Sequence, residues 1–158
     1  MTSNQTSAPV LRTIQATTTF LTVDDPDAAL RFYRDALGFA VGKDVSNGEF
    51  RWLTVTTPLQ PELEICLQPV GGGMPMPDAD REQMADLLAK GLLGGLNFTC
   101  DDVDALFDHV VAAGGEVLSE PADQFYGVRD CAFRDPAGNM IRFNTPLPSK
   151  PDGATSAS

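Results

Sequence analysis

The chain repeats itself. Asp24-Asp25-Pro26-Asp27-Ala28 through Ala36-Leu37-Gly38 recurs 77 residues later as Asp101-Asp102-Val103-Asp104-Ala105 through Ala113-Gly114-Gly115, with six identities in fifteen positions. About one identity is expected by chance, so the duplication is real. In the first copy Asp25 is placed to cap a helix that carries Pro26 at its first position and Gly38 as its stop. Ala29, Leu30, Tyr33 and Leu37 share one helical face, and Leu106, Phe107, Val110 and Gly114 share the matching face of the second helix. Past the helices the match continues at an offset of 78: Arg51-Trp52-Leu53-Thr54-Val55 closes at Pro58, and Arg129-Asp130-Cys131-Ala132-Phe133 closes at Pro136. Two equivalent supersecondary units must therefore form.

Strand patterns complete each unit. A strand near residues 17–23 precedes the first helix, and Phe39 to Lys43, Phe50 to Thr56 and Leu63 to Gln68 follow it. Glu116 to Leu118, Val128 to Phe133 and Met140 to Asn144 follow the second helix. The expected class is α+β: two tandem βαβββ modules at residues 14–68 and 93–145, forming a curved mixed sheet around a central cavity with helices on the outer face. Residues 69–92 read as a linker, with Gly71-Gly72-Gly73 as a flexible connector and a helix from Asp78 to Lys90. Residues 1–13 and 146–158 read as disordered tails, rich in Ser, Thr, Pro and Gly.

Composition removes several classes of function. A net charge of -11, with no local cluster of Lys or Arg, repels phosphate backbones and anionic lipid, so no nucleic-acid partner is expected. No apolar run reaches the roughly 18 residues of a membrane span, and residues 1–8 lack a secretory pattern, so no membrane partner and a cytoplasmic location are expected. Cys66, Cys100 and Cys131 are odd in number and lack CxxC spacing, which disfavours a disulfide framework and a cysteine zinc site. His109, the single histidine, lies off the apolar face of its helix and reads as a surface residue.

Strand parity locates the working surface, because side chains alternate between the faces of a sheet. Leu63, Ile65 and Leu67, Leu96, Phe98 and Cys100, and Ile141 and Phe143 belong under the helices. Glu64, Cys66, Asn97 and Arg142, joined by Thr18, Phe20, Trp52, Thr54, Asp130 and Met140, line the opposite face, with Tyr126 in a loop at its mouth. Trp52, Phe20 and Met140 supply an apolar wall for a flat ligand; Asn97, Thr18 and Thr54 orient it.

This arrangement resembles the vicinal oxygen chelate superfamily, the fold of glyoxalases, bleomycin-resistance proteins and extradiol dioxygenases. The resemblance rests on residues 23–39, Val23-Asp24-Asp25-Pro26 through Leu37-Gly38-Phe39, and on Phe133-Arg134-Asp135-Pro136-Ala137-Gly138-Asn139-Met140-Ile141. It implies a homodimer. It also implies metal ligands on the first and last strands of each module, positions held here by Thr18, Glu64, Gly95 and Arg142. Only Glu64 among them is a metal donor, and a guanidinium repels a cation. No metal and no cofactor are therefore expected, and Glu64 and Arg142 are expected to meet as an ion pair in its place.

Two functions follow. In the first, the protein binds a small hydrophobic or anionic molecule between the modules without a metal. In the second, it is a metal-free lyase or isomerase with Glu64 as base and Arg142 stabilising an oxyanion. A metal-dependent lactoylglutathione lyase-type or dioxygenase enzyme ranks behind both.

Overall fold

The computed structural model of the protein describes residues 8–149. Of the expected tails, residues 1–7 and 150–158 lie outside the described residues, while Pro9–Thr13 forms one 3-10 turn with no buried side chain. The first module contains β1 (Thr18–Val23), α1 (Pro26–Leu30), β2 (Ala40–Asn47), β3 (Phe50–Thr57) and β4 (Gln60–Pro69). A linker helix, α2 (Asp78–Ala89), leads to the second module: β5 (Gly95–Thr99), α3 (Val103–Ala112), β6 (Glu116–Asp123), β7 (Val128–Arg134) and β8 (Met140–Pro146). The α+β class with two βαβββ modules is thus as expected.

The strands form two four-stranded mixed sheets, ordered β1-β4-β3-β2 and β5-β8-β7-β6. In each, the first strand runs parallel to the last, as β1 does to β4 and β5 to β8, and the remaining pairs are antiparallel. β6 runs beyond the Leu118 end read from sequence. It carries Pro121 where its register with β7 breaks, and an edge strand tolerates the missing N–H there.

The structure explains why the repeat kept its aspartates and arginines. Asp25 accepts from the backbone N–H groups of Asp27 and Ala28, and Asp102 accepts from that of Ala105, so each helix begins on a capping carboxylate. Arg51 bridges Asp27 at 2.7 Å and Asp44 at 2.9 Å. Its counterpart Arg129 bridges Asp104 at 2.8 Å and Asp123 at 3.0 Å. Each arginine ties the first turn of its helix to the edge strand of its sheet. Exposed pairs of this kind stabilise by at most about 1 kcal/mol apiece, so their main effect is on placement.

One core joins the modules. Leu21, Val23, Leu53, Val55, Ile65 and Leu67 of the first sheet lie in the same buried cluster as Cys131, Phe133, Ile141 and Phe143 of the second. Ile65, Leu67, Ile141 and Phe143 are from the sets that parity placed under the helices, and Leu96, Phe98 and Cys100 of those sets pack against the cluster; Leu63 is not part of it. Phe39 and Phe98 meet edge-on across the modules, with ring centroids 5.4 Å apart.

A polar clasp sits within this core. After Leu30 the first helix widens into a π-helical segment over Arg31–Ala36, which carries Tyr33, fully buried. Its hydroxyl donates to Asp135 Oδ2 at 2.8 Å, in the turn between β7 and β8. Asp135 Oδ1 accepts the backbone N–H groups of Ala137, Gly138 and Asn139, and Asn139 Nδ2 donates both to Asp135 Oδ2 and to the Thr22 carbonyl on β1. The Asp-Pro-Ala-Gly-Asn stretch is therefore the hinge-pin between modules. Burial, and then the Asp135 carboxylate, push the Tyr33 phenol above its ordinary pKa, so it stays protonated and keeps donating.

Asp135→Ala strands several buried donors at once and is expected to cost more than about 3 kcal/mol, whereas Tyr33→Phe removes one donor and costs about 1–3 kcal/mol. Urea unfolding of both variants checks the ranking. Equal midpoints for Asp135→Ala and the wild type would refute the clasp.

Candidate functional site

The sheet faces turned away from the core carry the predicted site residues. On the first module, Phe20 on β1, Trp52 on β3 and Phe50, also on β3, make an aromatic row. Phe20 meets Trp52 edge-on with centroids 5.9 Å apart, and Phe50 lies 6.4 Å from Trp52 on its other side. Phe20 is 54% exposed and Phe50 44%, unusual for strand aromatics in a chain with a filled core. The row borders a cavity of about 680 Å³ whose lining includes Trp52, Cys66, Gln68 and Arg81.

Beside the row lies a charged group. Glu64 Oε1 accepts from the Thr54 hydroxyl at 2.8 Å, and Glu64 Oε2 meets Lys43 Nζ at 3.0 Å. Lys43 reaches it because β2 is bulged between Val41 and Asp44, where the Lys43 N–H donates to Thr54 Oγ1. Gly42 within the bulge is required by space: a Cβ there would lie 2.6 Å from Thr54 Oγ1 and 3.0 Å from Glu64 Oε1. The Lys43 ammonium, helped by the Thr54 hydroxyl, holds the Glu64 carboxyl below its ordinary range. Thr18, in register with Glu64 on the neighbouring strand, is half-buried. Cys66 is buried, and burial together with the Glu64 charge raises its thiol, so it is held as the neutral, unreactive form.

The corresponding face of the second module is polar. Asp130, 1% exposed, accepts from Gln124 Nε2, Tyr126 Oη and Arg142 Nη1, each at 2.9 Å. Burial works to raise its pKa, but those three donors outweigh it and the net shift is downward. The same residues line a cavity of about 810 Å³ with Asn97, Asn144 and Ser119, whose buried hydroxyl has no hydrogen-bond partner among the described residues. Met140 is exposed, its sulfur 3.7 Å from Arg142 Nη2.

The parity argument thus sorted the faces correctly, and the expected Glu64–Arg142 ion pair is not made within the chain. Glu64 is engaged by Lys43 and Arg142 by Asp130; Arg142 and Asp130 line the second cavity, and Glu64 lines neither. The reason is that the modules join through their apolar faces, which leaves each polar face with its own cavity rather than one shared central space. Lys43 was not legible as a site residue, because a lysine in a bulge carries no periodic signal.

Within one chain no three His, Cys, Asp or Glu side chains converge on a common point among the described residues. His109 is exposed, all three cysteines are free, and no described helix is long and apolar enough to cross a membrane.

Residues 14–143 match the model of the Glyoxalase/Bleomycin resistance protein/Dioxygenase superfamily. The uncharacterized protein YurT of Bacillus subtilis (strain 168) is 30% identical over 125 residues, 78% of this chain and 93% of that protein. Among solved structures, UcmS2 superposes with a TM-score of 0.75 at 32% identity, covering 83% of this chain and 97% of its own. TnmS3, an antibiotic binding protein from Streptomyces sp. CB03234, superposes with a TM-score of 0.65 at 28% identity, covering 84% and 96%.

Both site carboxyls are depressed in the fold, so the stability they contribute is present above their ordinary values of 4.5 for Glu64 and 3.8 for Asp130 and is lost as pH falls through the lower folded values. Glu64→Gln and Asp130→Asn are expected to flatten the acid limb of a stability-against-pH curve measured by urea midpoints. An acid limb as steep as that of the wild type would show that neither group is held low.

Proposed function

Because the chain belongs to the Glyoxalase/Bleomycin resistance protein/Dioxygenase superfamily, we propose that it is a binding protein. It sequesters a small, flat, largely apolar molecule of the antibiotic kind in a cavity completed by a second copy, without a metal and without turning it over.

The observation that carries this reading is the aromatic row Phe20–Trp52–Phe50, whose two outer rings are exposed and whose central indole is half-buried. Rings held open in this way favour a flat partner, since stacking adds to the area they bury. The faces of the two modules are also complementary: one offers rings, the other Gln124, Tyr126, Asn97 and a spare Ser119 hydroxyl. Facing the first module of one copy with the second module of another would enclose a ligand between a stacking wall and a hydrogen-bonding wall. That TnmS3 is named an antibiotic binding protein supports the ligand class.

The residues do not fit the metal that other members of the superfamily use. At the four equivalent positions stand Thr18, Glu64, Gly95 and Arg142, and the one carboxylate already carries an ammonium. Nor does the chemistry favour catalysis. A carboxylate held low is a weak base, a thiol held high is a weak nucleophile, and the Arg142 charge is spent on Asp130 rather than left for an oxyanion.

Titration with bleomycin and a panel of flat aromatic antibiotics, read from the emission of Trp52, is expected to find a saturating ligand, and that ligand is expected to be recovered unchanged. Light scattering should give about twice the 16.9 kDa chain mass. By calorimetry, Trp52→Leu should weaken binding about tenfold. A monomer that binds with full affinity, or a chemically altered ligand, would overturn the reading.

A further inference from the structure

The three consecutive glycines of the linker are built into a wall of the first cavity. Gly71, Gly72 and Gly73 take φ values of 86°, 55° and 74°, a run of left-handed residues that other side chains rarely adopt. Each also presses on a different side chain. A Cβ on Gly71 would lie 2.9 Å from Arg81 Nη1, one on Gly73 would lie 2.9 Å from Phe50 Cδ2, and one on Gly72 would overlap the Gln68 carboxamide. Phe50, Gln68 and Arg81 all line the cavity that holds Trp52, as do Gly72 and Gly73 themselves. The triglycine run is therefore a strap fitted against site side chains rather than a slack connector.

Arg81, in the first turn of α2, latches the strap by donating from Nη1 to the Val70 carbonyl at 2.9 Å. Among the cations lining the two cavities it alone lacks a carboxylate partner in the described residues: Arg51 is paired with Asp27 and Asp44, and Arg142 with Asp130. A guanidinium has five donors, and a single carbonyl leaves most of them free. Glu49 lines the same cavity and makes no ion pair among the described residues, so the Arg81 charge is offset across the cavity, which favours a neutral acceptor over an anion.

We propose that the Gly71–Gly73 strap is a wall of the ligand site and that Arg81, beside it, donates to a carbonyl-type oxygen on a neutral, flat aromatic ligand whose ring lies against Phe50 and Trp52. This rests on the binding reading above and adds to it the polar feature the ligand must carry and the residue that reads it. Arg142, the arginine at a position where the resemblance implies a metal ligand, is not that residue.

The test uses two probes that differ by one carbonyl oxygen, 9-acetylanthracene and 9-ethylanthracene, with equilibrium dialysis against the full-length protein. The wild type is expected to prefer the acetyl probe by about tenfold, the effect of one hydrogen bond to a charged donor. Arg81→Met should erase that preference by weakening the acetyl probe about tenfold more than the ethyl probe, and Gly72→Ala should weaken both probes together. If Arg81→Met weakens both equally, Arg81 acts only as the latch and its ligand contact is refuted. If Gly72→Ala leaves both unchanged, the strap is no part of the wall. Equal binding of the two probes by the wild type overturns this inference alone; no binding of either probe, together with no ligand found in the antibiotic titration, overturns the binding reading as well.

Discussion

The structure depends on a buried carboxylate. Asp135 collects three backbone N–H groups of its own turn on one oxygen and, on the other, a tyrosine hydroxyl from the opposite module together with the Asn139 amide. A charged group this deep is tolerable only when its hydrogen-bonding capacity is filled, so the turn, the π-helical segment that presents Tyr33 and the end of β1 must come together in one geometry. That geometry joins the modules through their apolar faces. Everything about the site follows from it, because the polar faces are then left to two separate cavities.

Those cavities have different characters. Asp130 and Arg142 pair in the lining of the second, whereas Glu64 and Lys43 pair outside the lining of the first. What distinguishes them is the rest of the lining. The first offers rings, a glycine strap and an arginine without a carboxylate; the second offers amides and hydroxyls around a buried aspartate. On the proposed reading, a small molecule held between such surfaces is stacked on one side and oriented on the other.

Much of the architecture was legible in the chain because repetition and parity are strong signals. The offset of 77 placed both helices, and the alternation along residues 63–68 and 140–144 assigned Ile65 and Ile141 to the core and Cys66 and Arg142 to the opposite faces, where they line cavities. The recurrence of Asp27 and Arg51 as Asp104 and Arg129 was visible as a match but not as contacts, since nothing in a one-dimensional repeat says that a strand arginine reaches back to a helix start. Gly71-Gly72-Gly73 reads from sequence as a flexible connector, and only the structure shows that Arg81, Gln68 and Phe50 lie against it.

The amino-acid sequence by itself determined the α+β class, the two βαβββ modules and the face of each strand, because these depend on local periodicity and on a duplicated pattern. Only the tertiary structure decided the partners of the charges. Equivalence by repeat suggested that Glu64 and Arg142 would meet, but a charge pairs with whatever lies within a few ångströms, and a bulge in β2 and a neighbouring strand supplied Lys43 and Asp130 instead.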